Sequence, residues 1–168
     1  MRTFIIGFSR ARSKFSIVSK LIMWIQGTSF SHVYIKFDSE FLERDFIYQA
    51  SRTSVNFENI QTFESESITV KEFKLEVLPE DYKKILQFSI DNVAKPYGTQ
   101  ELLGMFIVTI FDLFGKKIKN PLGDKNKTFI CSELANYILD SFMDANISTD
   151  IDSVTPKDVY NYLINRNL

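Results

Sequence analysis

The chain contains one cysteine and one histidine, and a thiol nucleophile with an imidazole base is the chemistry these two side chains perform together. Cys131 stands in the segment Thr128-Phe-Ile-Cys-Ser-Glu-Leu-Ala-Asn-Tyr-Ile-Leu. Positions 131, 135, 138 and 142 (Cys, Ala, Ile, Phe) follow helical spacing, so the thiol is expected in the first turn of a helix, on the face that packs inward. A thiol there lies near unpaired amide N–H groups and the positive end of the helix dipole, which favour the thiolate and lower its pKa. The same amides can receive an oxyanion. The competing interpretation is that Cys131 is a small buried apolar side chain, as free cysteines commonly are.

His32 lies far upstream in a run, residues 30–37, that alternates as a strand does: Val33, Ile35 and Phe37 on one side, Phe30, His32, Tyr34 and Lys36 on the other. A second strand is expected over 45–50 (DFIYQA), close enough to form an antiparallel hairpin with the first. A turn over residues 39–42 would set His32 directly opposite Gln49, with both side chains on one face. The Gln49 amide oxygen can then accept the Nδ1 proton of the imidazole. It orients the ring without adding the charge that a carboxylate would. A one-residue slip would separate the two onto opposite faces.

Other elements must hold this pair in place. A buried strand is expected over 2–8 and an amphipathic helix over 15–26, with Phe15, Val18, Ile22 and Ile25 near one face and Gly27 as its C-cap. Residues 51–66 read as polar and irregular. A strand over 68–77 follows, with a slip in its alternation near Lys71 and Glu72. Pro79-Glu80-Asp81 opens a helix to about Val93, and Lys95-Pro96-Tyr97-Gly98 breaks it. Helices are expected over 100–114, 131–144 and 156–166. The last starts with Thr155 as N-cap, Pro156 in the first turn and Asp158 completing a capping box. Strands crowd the first half and helices the second, which indicates an α+β fold, an antiparallel sheet packed against helices with the cysteine helix on the sheet. One domain over 1–168 suits the length, since a chain of this size buries roughly 70% of its unfolded surface.

Composition narrows the function. The net charge is −1 and the pI near 5.9, which provides no broad attraction for nucleic acid. A single Cys excludes an intramolecular disulfide, and a single His excludes the usual zinc patterns, so neither a metal nor a cofactor is expected. The most apolar segment, residues 102–114 (LLGMFIVTIFDLF), is 13 residues long and interrupted by Asp112, short of the roughly 20 that a spanning helix needs. No secretory apolar region follows the N-terminus, MRTFIIGFSRARSK. The expected location is therefore the cytoplasm, or a phage particle through which the cell wall is reached. Residues 115–127 hold five lysines against Asp124, either a solvated loop or a contact for an anionic partner.

The order of these motifs resembles the permuted papain-like amidases, circularly permuted relatives of the NlpC-type cell-wall peptidases that include YiiX-like proteins. The resemblance rests on Ser31-His32-Val33-Tyr34-Ile35, Ile47-Tyr48-Gln49-Ala50, Lys95-Pro96-Tyr97-Gly98 and Phe129-Ile130-Cys131-Ser132-Glu133-Leu134, in that order over roughly residues 1–160. It implies a nucleophilic Cys131, a general base His32 and a third polar residue at Gln49, where such relatives often carry an acid. Tyr97 matches a recurrent tyrosine ahead of the cysteine helix and is placed beside the site. Tyr34, on the His32 face, and Ser31, within the same motif, are expected to bind substrate, and Glu133 to stabilise the helix start. The implied activity is cysteine-dependent hydrolysis of amide, peptide-like bonds, with a cell-wall peptide as first substrate. The Gln49 departure keeps open a catalytically inactive binding module. The apolar segment 102–114 and the lysine-rich loop keep open a lipid-directed thiol acyltransferase or esterase.

Overall fold

A computed structural model describes residues 1–13, 16–39, 44–51, 54–98, 104, 111, 115–116, 118, 121, 129–147 and 154–166. The helix expected over 100–114 and the lysine-rich loop fall almost wholly outside these residues.

Five strands, β1 (Arg2–Ala11), β2 (His32–Ser39), β3 (Arg44–Ser51), β4 (Ser54–Asn59) and β5 (Ser67–Val77), form one sheet in the order β4-β3-β2-β1-β5, each neighbour antiparallel. Period-two alternation assigns its faces. Phe4, Ile6 and Phe8 of β1, Val33, Ile35 and Phe37 of β2, Tyr48 and Ala50 of β3 and Phe73 and Leu75 of β5 enter one apolar core. That core is closed by Ile85 of α3 (Pro79–Asp91), by Leu134, Ala135, Ile138 and Leu139 of α4 (Cys131–Met143), and by Val159 and Leu163 of α5 (Pro156–Asn165). On the opposite face a smaller cluster joins Tyr34 and Ile47 to Phe63 of α2 (Ile60–Glu66).

Three local expectations change. Of the stretch 51–66, residues 54–66 are regular: Val55 and Phe57 alternate with polar residues along β4, the Phe57 ring centroid 4.9 Å from that of Tyr48. Asn59 then caps α2 by accepting from the Thr62 amide at 2.8 Å. In α1 (Ile17–Gln26) the buried positions are Ser19 and Ile22, while Ile17, Val18, Leu21 and Trp24 are exposed. The helix is apolar almost all round, so apolar spacing alone does not set its phase. The Ser19 hydroxyl, bonded to that of Ser31 at 2.6 Å, marks the face that turns inward. Gly27 ends α1 with φ +62°, a conformation open to glycine.

The hairpin register also differs. Ile35 lies opposite Tyr48 and Ser39 opposite Arg44, so every residue meets a partner two positions later than a turn over 39–42 would give. An even displacement preserves the face of each side chain. His32 and Gln49 therefore stay on one side but meet diagonally, beyond the last paired rung. In β5 the irregularity falls at Val70, left over between the pairs Phe8–Lys71 and Ser9–Thr69, one residue before the expected slip.

Candidate active site

The chain enters α4 through a short strand-like contact. Phe129 bridges Tyr97 in parallel, with the Phe129 amide donating to Pro96 at 3.2 Å and the Gly98 amide to Phe129 at 3.1 Å. Ile130 remains extended and the helix begins at Cys131. The Glu133 carboxylate reaches back to the Ile130 amide at 3.0 Å, half of a capping box, since isoleucine has no side-chain acceptor to return. The buried Ser132 hydroxyl donates to the Val154 carbonyl at 2.6 Å, tying the helix start to the segment that opens α5. Cys131 is thus held by a bridge, a cap and a buried hydrogen bond.

The amides of Val33, Ser132 and Cys131 itself address the thiol and favour its ionised form, but burial acts more strongly and pushes the Cys131 pKa up. The helix start alone predicts the opposite direction. Cys131 is only 7% exposed, and loss of hydration penalises the thiolate by more than the amides recover. The thiol also meets the amide of Val33, the residue that follows His32, so α4 delivers its first residue to the start of β2.

His32 opens β2 and is half-buried. Its Nε2 lies 2.7 Å from Gln49 Oε1, and Gln49 Nε2 donates to Glu58 Oε2 at 2.8 Å. The expected contact between His32 and Gln49 is therefore present, through Nε2 and not Nδ1, which leaves Nδ1 free of Gln49. Burial lowers the His32 pKa, against the hydrogen bond to the Gln49 oxygen and the charge of Glu58, which raise it. Both groups are thereby biased to their neutral forms, a thiol and an imidazole, not a thiolate and an imidazolium.

The other sequence candidates have definite positions. Tyr97 is half-buried with its hydroxyl pKa pushed up, first by burial and then by the nearby Cys131 and Glu133, so it stands beside the thiol. Ser31 is buried, its hydroxyl directed to Ser19. Tyr34 is buried against Phe63 with ring centroids 4.6 Å apart, and its hydroxyl donates to Glu72 at 2.7 Å. Glu58 is the site residue that sequence reasoning misses, because the stretch that carries it reads as irregular. A signal for it exists: Asn56 and Glu58 share the parity that Val55 and Phe57 leave open, and β4 pairs Asn56 with Gln49 and Glu58 with Ile47.

An antiparallel sheet with helices closing its larger core defines an α+β protein. No protein-family model matches the chain, NlpC-type models included, and no curated protein matches its sequence. In structure it is similar to the metalloprotein YiiX from Escherichia coli O157:H7, with a TM-score of 0.60 over 95% of this chain and 92% of that one, at 13% identity. At that identity the likeness is one of fold, and the YiiX-like architecture expected from motif order is present. The word metalloprotein belongs to YiiX. Among the described residues here no three His, Cys, Asp or Glu side chains come together as ligands. No helix among the described residues is long and apolar enough to cross a membrane.

Proposed function

We propose that the chain is a cysteine-dependent hydrolase of amide bonds, with Cys131 as nucleophile, His32 as base and Gln49 holding the imidazole. The observation that supports this is the approach of the chain's one thiol to the backbone of Val33, the residue that follows its one histidine. The first residue of α4 meets the backbone of Val33 while the adjacent His32 is bound to Gln49 through Nε2, which makes Nδ1 the ring nitrogen that Gln49 does not engage.

In the acylation step His32 Nδ1 takes the Cys131 proton as the sulfur attacks the carbonyl carbon, forming the S–C bond. The Cys131 amide at the helix start receives the oxyanion. Collapse breaks the C–N bond, and the imidazolium returns its proton to the leaving amine. Water, deprotonated by the same imidazole, then adds to the thioester and releases the acid and the free thiol. The neutral ground state suits this order, because the base must be unprotonated before it can act. The motif resemblance points to a peptide-like substrate, a cell-wall peptide first, with Tyr97 beside the scissile bond.

A panel of peptide and cell-wall amides tests this with wild type, Cys131→Ala and His32→Ala. Loss of turnover by at least about 10²-fold in each variant, with an acyl-thioester mass adduct on Cys131 in wild type, is expected. Unchanged turnover in Cys131→Ala would overturn it. A second substrate class, acyl lipids, is favoured by one observation. The exposed Ile17, Leu21 and Trp24 form an i, i+4, i+7 stripe with Val18 beside it on α1, whose inner face is tied through Ser19 to Ser31, next to His32. Sedimentation with anionic liposomes, lost in Trp24→Ser/Leu21→Ser, separates that class from soluble peptides.

A further inference from the structure

The hydrogen-bond chain from His32 does not stop at Gln49, and its far end decides what its near end can be. Gln49 is 5% exposed and bridges two groups, His32 Nε2 at 2.7 Å and Glu58 Oε2 at 2.8 Å. A primary amide can serve either end with either of its atoms, since oxygen accepts and nitrogen donates. A carboxylate has no such freedom, because it only accepts. Glu58 therefore draws the Gln49 NH₂ group to itself, Oε1 is left facing His32, and the imidazole must answer an acceptor with a proton on Nε2. Nδ1 is then bare.

We propose that Glu58 is a positioning residue: by orienting the Gln49 amide it selects the Nε2–H tautomer of His32 and so makes Nδ1 the basic nitrogen. This rests on the hydrolase assignment for its consequence, though not for the tautomer itself. The carboxylate is present one strand further out, on β4, and acts through the amide. The logic is that of a triad acid that holds the correct tautomer, with one neutral link inserted.

The chain's single histidine makes the test unambiguous. Long-range ¹H–¹⁵N correlation spectra of the full chain, recorded above pH 7 where the imidazole is neutral, report which ring nitrogen carries the proton. Wild type is expected to show the Nε2–H form. Glu58→Gln preserves size but can present either an acceptor or a donor to Gln49, so both tautomers should be seen and kcat/KM on the best amide substrate should fall by about 10-fold or more. The double variant Gln49→Glu/Glu58→Gln moves the carboxylate next to His32, with the amide now on β4 donating to it. It should restore the single Nε2–H form and recover kcat/KM to within about threefold of wild type, which a loss of mere structural support on β4 would not allow. A single Nε2–H tautomer in Glu58→Gln, or failure of the double variant to restore it, overturns the proposal. The spectrum needs no turnover, so that result stands apart from the Cys131→Ala assay. Activity persisting in Cys131→Ala would remove the hydrolase assignment and leave the tautomer measurement intact.

Discussion

Replacing Gln49 by leucine keeps the bulk of the side chain and removes both of its hydrogen bonds, so its effect can be worked from the two contacts. The bond to the Glu58 carboxylate, at 2.8 Å, belongs to the charge-assisted class worth about 1.5–3 kcal/mol, and the bond to the imidazole, at 2.7 Å, to the class worth about 0.5–1.5 kcal/mol. Glu58 is half-buried and regains some water when this hydrogen bond is lost, while His32 Nε2 beside a buried leucine regains less. The lower end of the range applies, about 2–3 kcal/mol. For a chain of this length each kcal/mol shifts Tm by about 2–4 °C, so a fall of about 4–12 °C is expected in a calorimetric melt at pH 7.5. The freed imidazole no longer has a preferred tautomer, and kcat/KM on an amide substrate should fall by about 10²-fold or more. A Gln49→Leu protein melting within about 2 °C of wild type would show that the two contacts contribute nothing. Full turnover in that protein would remove Gln49 from the site.

The remaining expectations concern titration and packing. Because burial holds the His32 pKa below 6.5, kcat/KM should be level through neutrality and fall only below that value, and an acid limb centred above 6.5 would contradict it. The unfolded chain gains its proton first, so stability contributed by a neutral His32 is present above 6.5 and is lost as pH falls towards the native pKa. That slope should be absent from a melt series of His32→Gln. The Cys131 pKa is raised above 9.0, so iodoacetamide should modify the native thiol slowly until pH exceeds 9.0. A reactive plateau near about pH 6–7, as a low-pKa thiolate gives, would refute the dominance of burial. The corresponding stability is full below the unfolded thiol pKa and is lost as pH rises through the native one. In β1, a Cβ on Gly7 would collide with the Tyr34 ring, so Gly7→Ala should cost about 1–3 kcal/mol in a urea titration and clearly less in a Tyr34→Ala background.

The elements legible in the sequence are those whose signal is local. Thr155, Pro156 and Asp158 announce α5 through capping chemistry confined to four residues, and the box is present, with Thr155 Oγ1 accepting from the Asp158 amide at 3.2 Å and Asp158 Oδ2 accepting from the Thr155 amide at 2.9 Å. Alternation identifies β2, β3 and β5 for the same reason. The phase of α1 is not legible, because Ile17, Val18, Leu21, Ile22, Trp24 and Ile25 put apolar side chains around the whole helix and only the contact between Ser19 and Ser31 decides which face is covered. The strand β4 is hidden by its polar residues: Asn56 and Glu58 reduce the hydrophobic signal because their side chains serve the sheet face where Gln49 lies.

That same face explains why the site is half visible in the sequence. His32 and Gln49 can be placed together by parity, which survives an even displacement of register, so the pair does not depend on locating the turn. The nitrogen that Gln49 binds does depend on three-dimensional geometry, and so does the net shift of the thiol, where burial at the start of β2 outweighs the helix start. Motif order can suggest a nucleophile and a base but not their protonation. In the proposed hydrolysis, a thiol and an imidazole each held neutral by burial place the demand for activation on the substrate complex, where Nδ1 would accept the thiol proton as the S–C bond forms. The group that keeps Nδ1 bare is then as important as the base itself. In this chain it sits two strands away from His32, on the one strand whose polar residues conceal its alternation.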